Sequence, residues 1–190
     1  MLWIVYCVLH SVLASEWIKQ TLHRNFKAYR WYRLFYTVFA FIFLVVIIYC
    51  QIQMRTIELF QRGNFVFVVG IITLTSGLFL MLVCIRKYFM NLSGLRSLAI
   101  EDFSNELQIT GVHKYVRHPL YLGTFIFIWG LFLIIPQLSM LIANVIITVY
   151  TLIGIEIEER KLLAEFGDDY RLYRQTVPKL VPFPKLKREQ

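Results

Sequence analysis

Apolar residues in this chain are collected into long blocks, and this arrangement restricts the possible fold more than any other feature. A helix needs about 20 mostly apolar residues to cross a bilayer, with roughly 17 as a lower limit. The hydrophobic fraction is 58% and the charged fraction is 17%, whereas soluble domains carry about 25% charged residues. We therefore expect an all-α integral membrane protein. The candidate spans are residues 2–14, 32–50, 64–85, 120–135 and 138–155.

The first and the last two of these blocks are shorter than an average span. Residues 2–14 form a short block that holds His10. Residues 120–135 and 138–155 are separated by the dipeptide Pro136-Gln137 alone. So tight a connection predicts an antiparallel helical hairpin, with a re-entrant pair of helices as the alternative.

Basic residues alternate from one connection to the next along the chain. Lys and Arg number five, two, five, none and eight in the successive connections and the tail. Basic residues concentrate on the cytoplasmic side of a membrane. The alternation predicts about five spans, with the N-terminus outside and the C-terminus in the cytoplasm, as in a multi-pass protein of a bacterial or archaeal inner membrane. The net charge of +8 then reflects these loops and an anionic lipid bilayer rather than nucleic acid.

The tail after residue 155 differs from the spans in composition. Residues 156–166 are charged, with Leu162, Leu163 and Phe166 at helical spacing, which predicts an amphipathic helix. Gly167 is a plausible stop, and Tyr170 and its neighbours suggest a second short helix. We expect a cytoplasmic helical cap within one domain, in which residues 1–100 supply three spans and residues 110–184 the hairpin and cap.

The most informative motif is Gly-Val-His-Lys-Tyr-Val-Arg-His-Pro-Leu-Tyr-Leu-Gly at residues 111–123. Proline suits the first position of a helix, where its missing N–H costs nothing. Pro119 therefore places Arg117 and His118 at the mouth of a span, beside backbone donors that favour anions. The three cysteines show no metal-ligand spacing, so no metal is expected.

The hairpin brings this motif to a group of carboxylates. His118 lies 18 residues before Pro136, and Glu156 lies 20 after it. At about 1.5 Å per residue both ends lie roughly 27–30 Å from the corner. Arg117 and His118 should therefore face Glu156, Glu158 and Glu159. Because Glu158 and Glu159 point about 100° apart on a helix, we expect just one of those two to face a ligand. A ligand with anionic and cationic ends suits this arrangement, and S-adenosylmethionine is one.

Residues 111–123, together with Glu158-Glu159 and the Phe-Gly-Asp-Asp-Tyr-x-x-Tyr-x-x-x-Val-Pro segment at 166–178, resemble the isoprenylcysteine carboxyl methyltransferase superfamily. That superfamily includes phospholipid N-methyltransferases, methanethiol S-methyltransferases and NnrU-like membrane proteins. The resemblance covers about residues 110–184. It implies a membrane methyltransferase that uses S-adenosylmethionine and receives its acceptor from the bilayer.

By this resemblance, particular residues take particular roles. The implied cofactor-binding residues are Tyr115, Val116, Arg117, His118, Tyr121, Gly123, Glu158 and Glu159. We expect Glu159, Arg117 and His118 to be catalytic, since a thiol acceptor needs a base such as Glu159 or His118. Arg174 is a candidate to hold an acceptor carboxylate. His10 either lines the acceptor pocket or forms a packed, hydrogen-bonded pair.

Two departures from the family pattern bear on the acceptor. His113 stands where the family more often has tyrosine, and Thr176 stands where many relatives have a basic residue before Val-Pro. The second departure weakens a prenylcysteine carboxylate as acceptor and favours a small thiol or another lipophilic acceptor. The alternatives are a phospholipid N-methyltransferase and a non-catalytic NnrU-like protein that retains the fold.

Overall fold

The computed structural model describes residues 2–15, 18, 29–92 and 107–182, and over these residues the fold is built from helices. They are α1 (Leu2–Ala14), α2 (Tyr29–Gln53), α3 (Asn64–Leu92), α4 (Pro119–Ile134) and α5 (Leu138–Thr176), with a 3₁₀ turn at Gly111–Lys114 before α4. Within the described ranges the backbone forms no strand beyond an isolated bridge between Glu58 and Gln137. The prediction of an all-helical chain is confirmed. The basic residues at 19, 24, 27 and 96, and those beyond 182, lie outside the described residues.

Three of these helices are long and apolar enough to cross a membrane. They are α2 through Leu34–Gln53, α3 through Asn64–Arg86, and α5. Helices α1 and α4 are apolar but shorter. Large apolar side chains lie exposed along the long helices, including Phe35 and Phe79. Exposed apolar surface on this scale is typical of helices that face lipid.

The described segments divide into two compact units. The first lies within residues 1–60, 88–104 and 136–147, and the second within residues 61–87, 105–135 and 148–190. The described parts of each unit have their own packing.

In the first unit, α1 packs on α2 through a row of polar and aromatic contacts. The indole nitrogen of Trp3 donates to Oε1 of Gln51 at 3.1 Å, and the Tyr36 hydroxyl lies 2.9 Å from Nδ1 of His10. The ring of Tyr6 stacks on His10 with centroids 5.7 Å apart. His10 is therefore part of a packed, hydrogen-bonded pair with Tyr36, one of the two interpretations that its position allows.

The first unit also holds the corner between α4 and α5. The backbone N–H of Leu59 donates to the carbonyl of Pro136 at 2.8 Å, and that of Leu138 donates to the carbonyl of Ile57 at 2.9 Å. The backbone N–H of Ser139 donates to Oγ1 of Thr56 at 3.0 Å. These bonds satisfy groups that a three-residue connection cannot pair within its own helices, and they fix the corner that the sequence predicts.

In the second unit, α3 and α4 approach closely at glycines. A Cβ atom at Gly130 would lie 2.5 Å from the backbone nitrogen of Leu74, and one at Gly123 would lie 2.9 Å from Cγ of Met81. A Cβ at Gly77 would collide with the backbone of Phe127. Small residues of this kind allow helix backbones to meet inside a membrane.

Helices α4 and α5 run side by side in the second unit. The Trp129 indole donates to Oγ1 of Thr148 at 3.3 Å, while Arg117, just before α4, contacts Glu159 on α5. One contact joins residues near the corner and the other joins residues far from it, so the two helices are antiparallel. The predicted hairpin is thus present in the contacts of this unit.

Beyond its apolar part, α5 is interrupted at Gly167. This glycine has φ +53° and ψ −121°, a conformation in the left-handed half of φ space that side chains rarely adopt. After it, Tyr170, Tyr173 and Val177 form a buried cluster against Leu107, Leu162, Leu163 and Phe166. The predicted stop at Gly167 and the short helix after it are confirmed. This cluster holds the C-terminal segment against the preceding part of α5.

We predict that Gly130→Ala lowers the stability of the second unit. The new methyl would press on the backbone of Leu74, and overpacking of this kind costs about 1–3 kcal/mol. Gly154 is the matched control, because nothing lies within 4 Å of a Cβ placed there. Unfolding in detergent micelles measures the difference. A Gly130→Ala protein as stable as Gly154→Ala would contradict the close packing of α3 and α4.

Candidate functional site

The site begins where the polypeptide enters α4. Pro119 is the first residue of this helix and His118 is its N-cap, as the sequence predicts. The two residues before Pro119 donate backbone hydrogen bonds to the C-terminal segment. The N–H of Arg117 donates to the carbonyl of Pro178 at 2.9 Å, and that of His118 donates to the carbonyl of Lys179 at 3.2 Å. The C-terminal segment is therefore held across the entrance of α4 by its backbone.

A buried carboxylate, Glu159, is the centre of the site. Its Oε1 atom accepts from Nε of Arg117 at 2.8 Å and from Nη2 at 2.6 Å. Nε2 of His118 lies 3.2 Å from the same oxygen. All three side chains are buried. Such a charge is tolerated in a low-dielectric environment because it is paired and hydrogen-bonded.

Arg117 also joins this carboxylate to the C-terminal segment. Its Nη1 atom donates to the carbonyl of Val177 at 2.6 Å and to that of Arg174 at 3.2 Å. The last carbonyls of a helix lack partners within the helix, and cations stabilise them. Arg117 therefore holds three segments together: the entrance to α4, the charged part of α5 and the end of the short helix after Gly167.

The surroundings set the protonation of these groups. Burial raises the pKa of Glu159, but hydrogen bonds and charge from Arg117, with contributions from His118 and Lys179, outweigh it and hold that pKa below its usual range. Burial lowers the pKa of His118, against the opposing effect of Glu158 and Glu159. Burial and the nearby Glu159 charge raise the pKa of Tyr170 to about 12. At neutral pH the cluster therefore holds an ionised Glu159 and a neutral imidazole.

Not every oxygen in the site is satisfied. Oε2 of Glu159 and Oε2 of Glu158 are buried atoms without a hydrogen-bond partner among the described residues. Nε of Arg174 and Nζ of Lys179 lie 3.7 and 3.8 Å from Oε2 of Glu159, too far for hydrogen bonds. A hydrogen-bond donor of a ligand would contribute most binding free energy at these two oxygen atoms, because a buried acceptor without a partner is costly.

The sequence-predicted residues take distinct places around this cluster. The rings of Tyr121 and His118 are stacked, with centroids 5.7 Å apart. Val116, two residues before His118 in the sequence, is buried, whereas Tyr115 is 71% exposed. Gly123 lies against α3 at Met81, so its position has a packing explanation. Their roles toward a cofactor stay predictions.

The other predicted residues are less closely joined to the cluster. Arg174 lies beside Glu159, as described above. Glu156 is exposed and pairs with Lys179 instead of Arg117 or His118. His10 belongs to the first unit.

Two residues near Glu159 were missed by sequence reasoning about the site. Lys179 approaches Glu159, and the buried hydroxyl of Tyr170 lies near enough to Glu159 for that carboxylate to help raise its pKa. Tyr170 stands in the motif at 166–178, so that motif could have suggested it. Lys179 directly follows Val177-Pro178. This chain therefore brings a basic residue to the site from just after the Val-Pro pair, whereas Thr176, just before the pair, is neutral.

Comparison with known proteins identifies the family. The sequence model of the phospholipid methyltransferase family matches residues 65–169, more than half of the 190 residues. The chain belongs to the phospholipid methyltransferase family. No solved structure matches it.

Individual relatives carry more specific names. A methanethiol S-methyltransferase from Crocosphaera subtropica is 29% identical, over 94% of this chain and 71% of its own length. Another from Pseudomonas deceptionensis is 28% identical, over 94% and 69%. A protein-S-isoprenylcysteine O-methyltransferase from Schizosaccharomyces pombe is 36% identical, over 38% and 31%. The predicted superfamily is confirmed, and the apolar helices agree with a membrane protein.

We predict that Glu159→Gln destabilises the protein at neutral pH by about 3 kcal/mol or more, because it leaves the buried guanidinium of Arg117 without its counter-charge. The lowered pKa of Glu159 means that its contribution is complete above the ordinary value of 4.5 and is lost as pH falls through the folded-state pKa. The stability of the two proteins should therefore converge in acid.

Asp168→Asn is the control for this substitution. Asp168 pairs with Arg171 on the exposed surface, and such pairs contribute about 0–1 kcal/mol. Unfolding in detergent across pH 3–7, roughly the range in which carboxylates titrate, measures both variants. A constant difference between wild type and Glu159→Gln over that range would show that the charge of Glu159 is not what stabilises the site.

Proposed function

We propose that this protein is an S-adenosylmethionine-dependent methyltransferase that methylates a small or lipophilic thiol at a membrane. The observation that carries the proposal is the buried Arg117–His118–Glu159 cluster, with two carboxylate oxygens beside it that lack donors. Membership of a methyltransferase family supports the reaction, and the names of relatives similar over most of the chain support a thiol as acceptor.

The residues of the site fit this cofactor. S-adenosylmethionine carries an ammonium group and ribose hydroxyls, which are donors, and Oε2 of Glu158 and Oε2 of Glu159 are buried acceptors without partners in the described residues. The stacked rings of His118 and Tyr121 present aromatic surface for an adenine. Glu158, Glu159, His118 and Tyr121 would therefore hold the cofactor, whose sulfonium supplies an electrophilic methyl group when bound.

The chain itself has mainly to position groups and exclude water. Holding two reactants in line is worth several kcal/mol, and a dry site strengthens every charge interaction in it. Arg117 fixes Glu159 and, through Val177 and Arg174, closes the C-terminal segment over the entrance of α4. We infer that this segment is the cytoplasmic cap of the site. Arg117 is then a positioning residue, since its nitrogens already donate to the protein.

The hydrogen bonds that Arg117 makes within the protein also bear on which class of acceptor the site can bind. A carboxylate acceptor would need a cation, yet Arg117 donates to Glu159 and to backbone carbonyls, and Lys179 pairs with Glu156. Arg174 lies beside Glu159 and stays a proposed acceptor residue. A thiol needs no cation but must lose a proton, because the thiolate is the nucleophile. The charges of the described site therefore favour a thiol over a carboxylate.

We predict that the purified protein binds S-adenosylhomocysteine, and that Glu158→Gln and Glu159→Gln each weaken binding by about tenfold or more, since hydrogen bonds to charged groups contribute about 1.5–3 kcal/mol. Asp168→Asn should bind as wild type does. Calorimetry in detergent measures the affinities. Equal affinity in all four proteins would remove the cofactor from this site.

An acceptor screen tests the reaction. Methyl-labelled S-adenosylmethionine is offered with ethanethiol, a prenylated cysteine analogue and phosphatidylethanolamine, and the products are identified by mass. We expect methylation of the thiol. Methylated phosphatidylethanolamine would instead establish the second candidate, phospholipid N-methylation, which the name of the matching family favours. No product from any acceptor, with cofactor binding intact, would favour the non-catalytic alternative.

We further propose five spans, formed by α1 to α5, with the N-terminus outside and the C-terminus in the cytoplasm. The alternation of basic residues along the sequence supports this orientation. We predict that a reporter that fluoresces only in the cytoplasm is active when fused after residue 190, and that a periplasmic phosphatase fused after Arg62 is active. The reverse pattern would overturn the orientation and leave the site unaffected.

A further inference from the structure

The hydrogen-bonding direction at His118 follows from its neighbours. Nε2 lies 3.2 Å from Oε1 of Glu159, and that carboxylate, which also accepts two bonds from Arg117, is ionised at neutral pH. An ionised carboxylate can only accept. The shared bond therefore requires the hydrogen on Nε2, and the carboxylate fixes the tautomer in the way that it does in carboxylate–histidine pairs of hydrolytic enzymes.

The other ring nitrogen is then left with a lone pair. Since burial favours the neutral imidazole, Nδ1 of His118 is an acceptor. It lies 3.7 Å from Oε2 of Glu158, which is itself a buried acceptor without a partner in the described part of the chain. With the hydrogen on Nε2, these two acceptors lie 3.7 Å apart, too far for a hydrogen bond between them. A group that brings a proton to this position satisfies one of them and is attracted by the other.

We propose, on the basis of the proposed function, that Nδ1 of His118 is the general base that takes the proton from a thiol acceptor. The S–H bond breaks, the proton joins Nδ1, and the electron pair stays on the acceptor sulfur, which forms the new bond to the methyl carbon. The pair of the broken methyl–sulfonium bond remains with the donor sulfur. The proton then leaves to water, so that the reaction releases one proton overall.

The charges around the ring support a protonated intermediate. The imidazolium formed in this step lies between Glu159 on Nε2 and Glu158 on Nδ1, and both carboxylates stabilise it. Among the described residues, Tyr121 on α4 is stacked on the ring and its hydroxyl interacts with Glu158, while the positive charge of Arg117 is matched by Glu159. The side chain of Glu158 is 43% exposed, which gives the proton a route to water.

A comparison of ordinary pKa values assigns the role of general base to His118 and not to either glutamate. Imidazole has an ordinary pKa near 6.5 and carboxylic acids near 4, whereas thiols lie near 8.5. A base closer in pKa to the thiol is more effective at neutral pH. Oε1 of Glu159 already accepts three hydrogen bonds, which weakens it further as a proton acceptor. Glu159 is therefore a positioning residue for His118.

The test compares two acceptors that differ in whether they need a base. His118→Gln keeps an amide N–H that can reach Glu159 but has no basic nitrogen. Ethanethiol must be deprotonated, whereas ethaneselenol is already ionised at neutral pH. Loss of the His118 ring lowers methylation of both acceptors, but we expect the loss for the thiol to exceed that for the selenol on the order of 100-fold, as general-base catalysis contributes 10²–10⁴-fold. Equal losses for the two acceptors would overturn the assignment.

A second measurement needs no variant. In the wild-type protein kcat/KM for ethanethiol should rise with pH through one ionisation of the free enzyme, and kcat/KM for ethaneselenol should lack that rise. Asp168→Asn should reproduce both wild-type profiles. If His118→Gln fails to bind S-adenosylhomocysteine, these profiles decide the question alone. Superimposable profiles for the two acceptors would refute the base, because a merely structural histidine affects both equally.

The same data separate the two proposals. A wild-type protein that methylates neither acceptor removes the proposed thiol methylation, and the base assignment with it. A wild-type protein that methylates both acceptors, with no difference between them in pH dependence or in sensitivity to His118→Gln, leaves the proposed function standing and removes the base alone.

Discussion

The buried negative charge of Glu159 is the constraint on which the rest of the site depends. A lone ionised carboxylate in such surroundings would cost several kcal/mol, so the chain must bring it cations and donors. It does so from two directions, with Arg117 and His118 before α4 and Lys179 near the C-terminus. Each partner lies more than 15 residues away in sequence, and the three come from two backbone segments.

This single charge therefore organises backbone as well as side chains. While Arg117 pairs with Glu159, its Nη1 atom donates to the end of the short helix after Gly167, at Val177 and Arg174. The neighbouring N–H groups of Arg117 and His118 in turn donate to Pro178 and Lys179. The same arginine thus holds the C-terminal segment and neutralises the carboxylate. Glu158, one residue earlier on α5, is instead 43% exposed.

Much of this arrangement could be read from the printed sequence. Pro119 marks the start of α4 because proline suits that position, and the numbers of residues on either side of Pro136 place Arg117 and the glutamates at the same end of the hairpin. The left-handed φ of Gly167 explains why a glycine interrupts α5 there. The role of Lys179 was not predictable, because it depends on how an irregular segment crosses the entrance of α4.

The sequence by itself determined the class of fold, the order of the helices and the end of the molecule at which cations meet carboxylates, because these follow from local apolar periodicity, proline and glycine positions, and helix length. Tertiary structure alone decided which glutamate is buried and which nitrogen of His118 faces it. Two glutamates about 100° apart on one helix are equivalent in sequence. The rotation of α5 about its axis, fixed by packing against α4 and by the cluster around Tyr170, turned Glu159 inward.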